Sequence, residues 1–512
     1  MPQTEWSPLP GDAPGRTERR VASHAAATPN APALVTESRT ITWSQLDSLA
    51  NGLAAAFAEQ GLAKGNRVGW LGRNCAEFPI LLVACRRAGL VLTALNWRLT
   101  PEDLSSLLEA IPVDLIVGDP DLVAPLRPDI PVVLTGEPFF ELASRHPHFE
   151  PVAVDDDDPC EIFFTSGSSG LPKAVEFTIG SVEHAVRSPT TLAFRPGSRL
   201  QIVAPMFHSA GWMWCNYALR GGLTAIIVSS ASPEKMISAV ADLKASHVQW
   251  QPTMLDMVLE ALAAAPRDLS SLEMIAYGAA PISPEMLQRV QKHFTCRLTQ
   301  VYGLTESVCG IGHLPPSAHL RDWGESGPPS VVPNPGNRIR IVGEDGNLLP
   351  PGEIGQIHVR LDYPAPHYLA GSVRREIVRP DGWLDTQDLG WRDAEGFLWV
   401  VGRRGDMIIT GGENVYPSEV ENVIAQFEDV AEVAVFGRPD ARWGQAIAAA
   451  VVPRGGARLT ERSIIDRCRD RMAHYKAPRS VIVLEALPRN AGGKVLRPAL
   501  IQLAAAASTQ ED

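Results

Sequence analysis

Between Phe163 and Val175 the chain reads FFTSGSSGLPKAV. Two aromatics are followed by Thr165, Ser166, Gly167, Ser168, Ser169 and Gly170, and Lys173 closes the run. Residues with so little side chain leave backbone N–H groups open to an anion, and the lysine adds a point charge; together these suit phosphate binding. The run is not the G-x-x-x-x-G-K-[ST] loop, because Lys173 follows Pro172 and Ala174 stands where a metal-binding hydroxyl belongs. Nor does Gly167-Ser168-Ser169-Gly170 have the spacing of the G-x-S-x-G nucleophile elbow. By composition alone an exposed turn explains the stretch equally well. The decision rests with the rest of the chain.

Other residues able to do chemistry are spread widely. His208 lies in PMFHSAGW, Glu306 in VYGLTE, Asp388 in DGWLDTQD and Lys494 in LPRNAGGKVLR. Singly, several have ordinary explanations. A lone histidine is usually a satisfied core residue, a glutamate can simply open a helix, and a lysine among Asn and Gly is a loop charge. The seven cysteines stand apart, without C-x-x-C or Cys/His spacing, which argues against structural zinc or a disulfide frame. Reduced thiols in a cytoplasmic protein are the expectation.

These residues need a scaffold of several cores, and 512 residues suffice for that. Forty-six basic against 58 acidic residues give a net charge of −12, which disfavours a nucleic-acid or anionic-membrane surface. No apolar run is long enough to span a membrane, and the start of the chain does not read as a secretory signal. From about residue 40 to about 310, short apolar runs such as RVGWLG, VDLIVGD, RLQIVAP and LEMIAYG alternate with helix-like stretches. That alternation predicts parallel α/β sheets. From about 324 to 401 the texture is rich in Gly and Pro, with short strands and no helices, which predicts a small β-rich subdomain. A boundary falls at Gly402–Gly405, so residues 1–402 form the large domain and 403–512 a small mobile α/β lid. In the lid, PSEVENVIAQF puts Val420, Val423, Ile424 and Phe427 on one helical face.

Taken in order, these stretches resemble the motifs of the adenylate-forming superfamily, which comprises acyl- and aryl-CoA ligases, peptide-synthetase adenylation domains and luciferases. The likeness is nearest to bacterial acyl-/aryl-CoA ligases and runs from about residue 18 to about residue 500. It implies an ATP- and Mg²⁺-dependent carboxylic acid–CoA ligase. A carboxylate attacks the α-phosphorus of ATP, pyrophosphate leaves, and the thiol of coenzyme A then displaces AMP from the acyl-adenylate. Charge concentrates in the first transition state, so fixed cations and N–H donors are the main catalytic need.

The resemblance also assigns roles. Thr165 to Gly170 and Lys173 hold the β and γ phosphates; Thr305 touches the α-phosphate and Glu306 holds Mg²⁺. Gly278, Ala279 and Ala280 line the adenine with Gln300 at its amino edge, Tyr302 and Gly303 also bind the nucleotide, and Asp388 with Arg403 takes the ribose hydroxyls. Lys494 bridges carboxylate and α-phosphate during adenylation, and His208 gates the acyl pocket without acting as a base. Rotation of the lid about Gly405 then presents Gly411 and Gly412 as a narrow pantetheine tunnel, with Trp443 against coenzyme A. Ser209, Ala210, Trp212, Trp250, Tyr277 and Gly310 fall beside the acyl pocket, a mixture that suits an aromatic, cyclic or polycyclic hydrophobic acid.

Two positions depart from the family pattern. Gln387 stands in T-Q-D where the family has a small residue, and Gly405 replaces a charged hinge residue. They leave open an enzyme that performs mainly one half-reaction, or one that loads a carrier protein. A non-catalytic ligand-binding homologue is the alternative of another class. Symmetric dimers are common among soluble enzymes, but no feature of the sequence decides assembly.

Overall fold

The structure is a computed structural model that describes residues 5–10, 15–146, 148–165, 172–280, 282–324, 327–411, 413–440, 442–489 and 495–508. Nine elements carry the residues of interest: β1 (Pro159–Thr165), β2 (Lys173–Thr178), α1 (Ser209–Gly221), β3 (Met274–Gly278), β4 (Arg297–Tyr302), β5 (His367–Ala370), β6 (Leu384–Arg392), β7 (Leu398–Arg403) and α2 (Pro417–Ala425).

Two large sheets with helices packed on them make up most of the chain, as expected of an α/β protein. One has nine strands, six of them parallel neighbours that include β3 and β4. The other has eight, ordered 373–376, β5, β2, β1, 91–94, 67–71, 115–118 and 132–134. Their central strands are short continuous apolar runs, Val91–Ala94, Leu115–Gly118 and Thr224–Ile227, buried along their whole length. Burial on both faces explains why they lack the alternation of a half-exposed strand.

The sheets are mixed rather than wholly parallel. β1 runs parallel to Val91–Ala94, but β2 returns antiparallel to β1, and β5 pairs antiparallel with β2 on its other side. The glycine- and serine-rich loop therefore joins two strands of one hairpin, and no helix N-terminus follows it. Any anion site there depends on loop N–H groups and Lys173, without a helix macrodipole.

A four-stranded antiparallel sheet (Arg338–Val342, Gly355–Arg360, β6 and β7) follows, and beyond it a five-stranded sheet spans Ile408 to Val483. The latter has its own core, in which Val420, Ile424 and Phe427 from and just after α2 meet Val435, Ile447 and Ile464. The Ser418 hydroxyl on α2 donates to the Val401 carbonyl of β7. Among the described residues no helix is long and apolar enough to cross a membrane. All seven cysteines are unpaired.

A buried ion pair anchors the hairpin. Arg86, on the helix Glu77–Ala88, faces Glu161 of β1 at 2.8 Å, and both side chains are about fully buried, at 2% and 1% exposure. Glu183 adds a second carboxylate 3.5 Å from Arg86. Removing one member strands a charge in low dielectric, which costs about 3–5 kcal/mol. Arg86→Met should therefore lower the thermal unfolding midpoint sharply, and adding Glu161→Leu to it should restore much of the loss. Differential scanning calorimetry of the single and double variants checks this.

Candidate active site

β3 and β4 are parallel neighbours, with Gly278 in register with Val301, so both end at the same edge of the nine-stranded sheet. Ligands of open α/β sheets bind beyond such carboxyl ends. Gly278 packs so tightly on β4 that a Cβ there would lie 2.2 Å from the Val301 carbonyl oxygen, which excludes any larger residue. Ala279 and Ala280 follow and are exposed, Ala279 with φ of +64°. Gln300 is half-buried on β4, in register with Tyr277.

At the end of β4 the Tyr302 hydroxyl donates to Oδ2 of Asp388 at 2.5 Å, and Arg403 Nε approaches Oδ1 at 3.2 Å. Asp388 and Arg403 are cross-strand partners on β6 and β7, which accounts for their contact. Asp388 is buried, at 5% exposure. Burial first, and the Asp388 charge second, push the Tyr302 phenol well above its usual range, so it remains a donor. Gln387 adopts φ of +62°, and its side-chain oxygen accepts from Arg404.

Past Gly303 the turn Thr305–Ser307 carries the next group. The Thr305 and Ser209 hydroxyls lie 3.2 Å apart, which ties the turn to the start of α1. The Tyr368 hydroxyl on β5 donates to Oε1 of Glu306 at 2.9 Å. The Lys173 ammonium sits 5.3 Å from the centre of the Tyr368 ring, within cation–π range. Arg403 is near enough for its charge to act on the Tyr368 phenol. A lone carboxylate beside a phosphate site suits Mg²⁺, which keeps several waters and shares phosphate oxygens. Among the described residues no group of three or more His, Cys, Asp or Glu could hold an ion by itself.

His208 precedes α1, its ring stacked at a tilt on Phe207, 5.0 Å between centres, and its Nε2 is buried with no hydrogen-bond partner among the described residues. Burial, helped by the Arg98 charge, lowers its pKa to about 4. It is therefore a neutral ring at ordinary pH. Ala210 is half-buried, and Gly310 lies against Tyr363, whose hydroxyl donates to the Ser307 carbonyl at 2.7 Å.

The three large aromatics expected at an acyl pocket are core residues in this conformation. Trp212, Trp250 and Tyr277 have no accessible surface. Trp212 packs between Phe163 and Phe177, Trp250 Nε1 donates to Gln201 Oε1 at 2.6 Å, and the Tyr277 hydroxyl lies 2.9 Å from His319. Bulky rings beside strand ends gain more from close packing than from facing water. They line no solvent-reachable space here.

On the C-terminal sheet, Gly411 has φ of +62°, and a Cβ on it would lie 2.8 Å from the Trp443 ring. The Arg479 guanidinium stacks over that ring at 4.1 Å. Gly405 lies exposed in the short turn Arg404–Asp406, with nothing packed where a side chain would be. Gly411, Trp443 and Arg479 thus pack on one another. Ser166, Gly167, Ser168, Ser169, Gly170, Gly412 and Lys494 lie outside the described residues. The structure also adds Tyr368, which has no motif of its own. Only the pairing of HYLA with the strand after the loop could have drawn attention to it.

The AMP-binding enzyme family model matches residues 21–369, and the AMP-binding enzyme C-terminal domain model matches residues 419–494. The chain belongs to the AMP-binding enzyme family. It is 33% identical to an indoleacetate–CoA ligase of Aromatoleum aromaticum, over 94% of this chain and 97% of that protein. It is 31% identical to a fatty acid–[acyl-carrier-protein] ligase of Streptomyces coeruleorubidus, over 93% of each. Among solved structures it resembles o-succinylbenzoate CoA synthetase of Bacillus subtilis in complex with its acyl-adenylate intermediate, with a TM-score of 0.83 and 29% identity over 94% and 97% of the two chains. The expected enzyme class stands: this is an adenylate-forming, ATP-dependent acid–thiol ligase.

Burial also lowers His247, His313 and His319 to about 4, like His208. The unfolded chain, near 6.5 at each histidine, takes up protons that the folded chain refuses. Stability should therefore be full above pH 6.5 and fall as pH drops toward 4, by up to about 1.4 kcal/mol per pH unit for each group. Calorimetric midpoints between pH 7 and pH 4.5 test this, and a flat profile would contradict it. The adenylation rate should show no inflection from His208 between about pH 5.5 and 7.

Proposed function

We propose that the protein activates a hydrophobic aromatic, cyclic or polycyclic carboxylic acid as its adenylate and transfers the acyl group to coenzyme A, in the cytoplasm and without nucleic acid. The main support is that a cation, four hydroxyls and two carboxylates from distant parts of the chain converge on the segment 302–306: Tyr368, with Lys173 over its ring, on Glu306, Ser209 on Thr305, and Asp388 on Tyr302. Triphosphate, metal and ribose need those groups at that proximity.

In this reading Asp388 accepts the ribose hydroxyls, oriented by Arg403 and the Tyr302 hydroxyl on its two oxygens. The exposed Ala279–Ala280 edge takes the adenine face, with Gly278, Gln300 and Gly303 around it. Thr305 donates to the α-phosphate. Glu306 holds Mg²⁺, which when bound neutralises phosphate charge. Lys173 and the loop 165–170 hold the outer phosphates, and Lys494 comes in between carboxylate and α-phosphate. Neutral His208 closes the acyl site without importing charge, beside Ser209, Ala210 and Gly310. The unit 403–512 pivots at Gly405 to bring Gly411, Gly412 and Trp443 to the thiol step.

An aromatic acid is supported by the indoleacetate and succinylbenzoate enzymes among the relatives. A carrier-protein acceptor is the second reading, supported by the acyl-carrier-protein ligase. A panel of benzoates, cinnamates, medium-chain fatty acids and cyclic terpenoid acids, scored separately for pyrophosphate and for CoA thioester, distinguishes them. Aromatic acids should release pyrophosphate and yield CoA thioester. Thioester formed only on a carrier protein would overturn the CoA assignment. Lys494→Ala should slow pyrophosphate release by about 10²–10³-fold, yet leave thioester formation from supplied acyl-adenylate much less affected.

A further inference from the structure

We propose that Tyr368 is a positioning residue for adenylation: its hydroxyl orients the Glu306 carboxylate for Mg²⁺ while its ring holds the Lys173 ammonium, so that one side chain registers the metal against the phosphates. The proposal rests on the ligase reading above.

Sheet geometry brings the first pair together. Tyr368 stands opposite Val175 in the antiparallel pairing of β5 with β2. Lys173 is two residues from Val175, hence on the same face and diagonal to Tyr368, the distance at which long and aromatic side chains meet across strands. The ammonium accordingly lies 5.3 Å from the ring centre. The second pair joins different sheets. Glu306 follows β4 of the nine-stranded sheet, whereas Tyr368 belongs to the eight-stranded one, and the hydroxyl reaches Oε1 at 2.9 Å. The metal and phosphate groups thus come from separate sheets, and Tyr368 is the side chain that touches both. Charge-stabilising groups act well only when held in place before the reaction.

The contact also has the right polarity. A phenol donates one proton, so it occupies Oε1 and leaves Oε2 open to a metal. The ring packs against the main core, a task phenylalanine would perform equally well. The hydroxyl is what packing does not explain.

Tyr368→Phe separates the two tasks, since it keeps the ring and deletes the donor. The full-length protein is mixed with ATP without acid substrate, Mg²⁺ is titrated, and the ligand-induced rise in unfolding midpoint is recorded against each variant's own baseline. The Mg²⁺ concentration for half the effect should rise about three- to tenfold in Y368F, while the shift produced by AMP alone stays at the wild-type value. Tyr368→Leu, which also removes the ring, should in addition weaken the ATP response without Mg²⁺. With acid present, Y368F should require more Mg²⁺ for pyrophosphate release at unchanged KM for the acid. An unchanged Mg²⁺ midpoint in Y368F would overturn the proposal. So would equal losses of the AMP and ATP responses, the mark of a purely structural residue. A wild type insensitive to ATP at every Mg²⁺ concentration would defeat the ligase reading itself, and this proposal with it.

Discussion

Strand β2 pairs on both sides, with β1 across the glycine- and serine-rich loop and with β5 nearly 200 residues later in the chain. Almost everything in the proposed site follows from that double pairing. It sets Lys173 at the root of the loop, brings Tyr368 alongside, and through Tyr368 reaches Glu306 on the other sheet. The Arg86–Glu161 pair holds β1 from beneath, so the hairpin is anchored in the core. An anion-binding loop needs such a root, because loose N–H groups lose their advantage to the entropy of ordering them.

Charge is managed by pairing where it must be kept and by burial where it must be avoided. Asp388 is buried yet has an arginine and a phenol for partners, which compensate its desolvation. Among the described residues His208 Nε2 has no partner, and burial keeps the ring neutral. A neutral ring next to the proposed acyl site leaves the carboxylate to be neutralised by groups on the phosphate side. The protein's net charge of −12 also repels a nucleotide at long range, so attraction has to come from these few local cations.

Among the described residues seven non-glycines have positive φ; Arg127, Ala193 and Lys244 lie outside the proposed site, and four lie close to it. Ala279, Val308, Cys309 and Gln387 all have positive φ without being glycine, at +64°, +45°, +65° and +62°. Each is at or within two residues of a proposed nucleotide, metal or acyl contact, and such conformations cost of order 1–3 kcal/mol apiece. Val308 is the most telling, since β-branched residues rarely enter this region. The tight turn it makes after Glu306 is held by Tyr363 on the Ser307 carbonyl. Strain of this kind persists only where surrounding contacts overdetermine the backbone.

By itself the sequence determined the α/β class, the order of motifs and the residues with usable chemistry, because hydrophobic period and short motifs are local properties. Asp388, Glu306, Thr305 and Lys173 were all legible from motifs that each span fewer than fifteen residues. Tertiary structure alone decided which of them meet. It paired Asp388 with Tyr302 across 86 positions, showed that the strands flanking the glycine- and serine-rich run pair antiparallel, and introduced Tyr368. It also withdrew Trp212, Trp250 and Tyr277 into the core, since whether an aromatic near a strand end packs inward or lines a cavity depends on neighbours far away in sequence. Local pattern records what a residue can do; strand pairing and close packing, which join distant segments, decide what it touches.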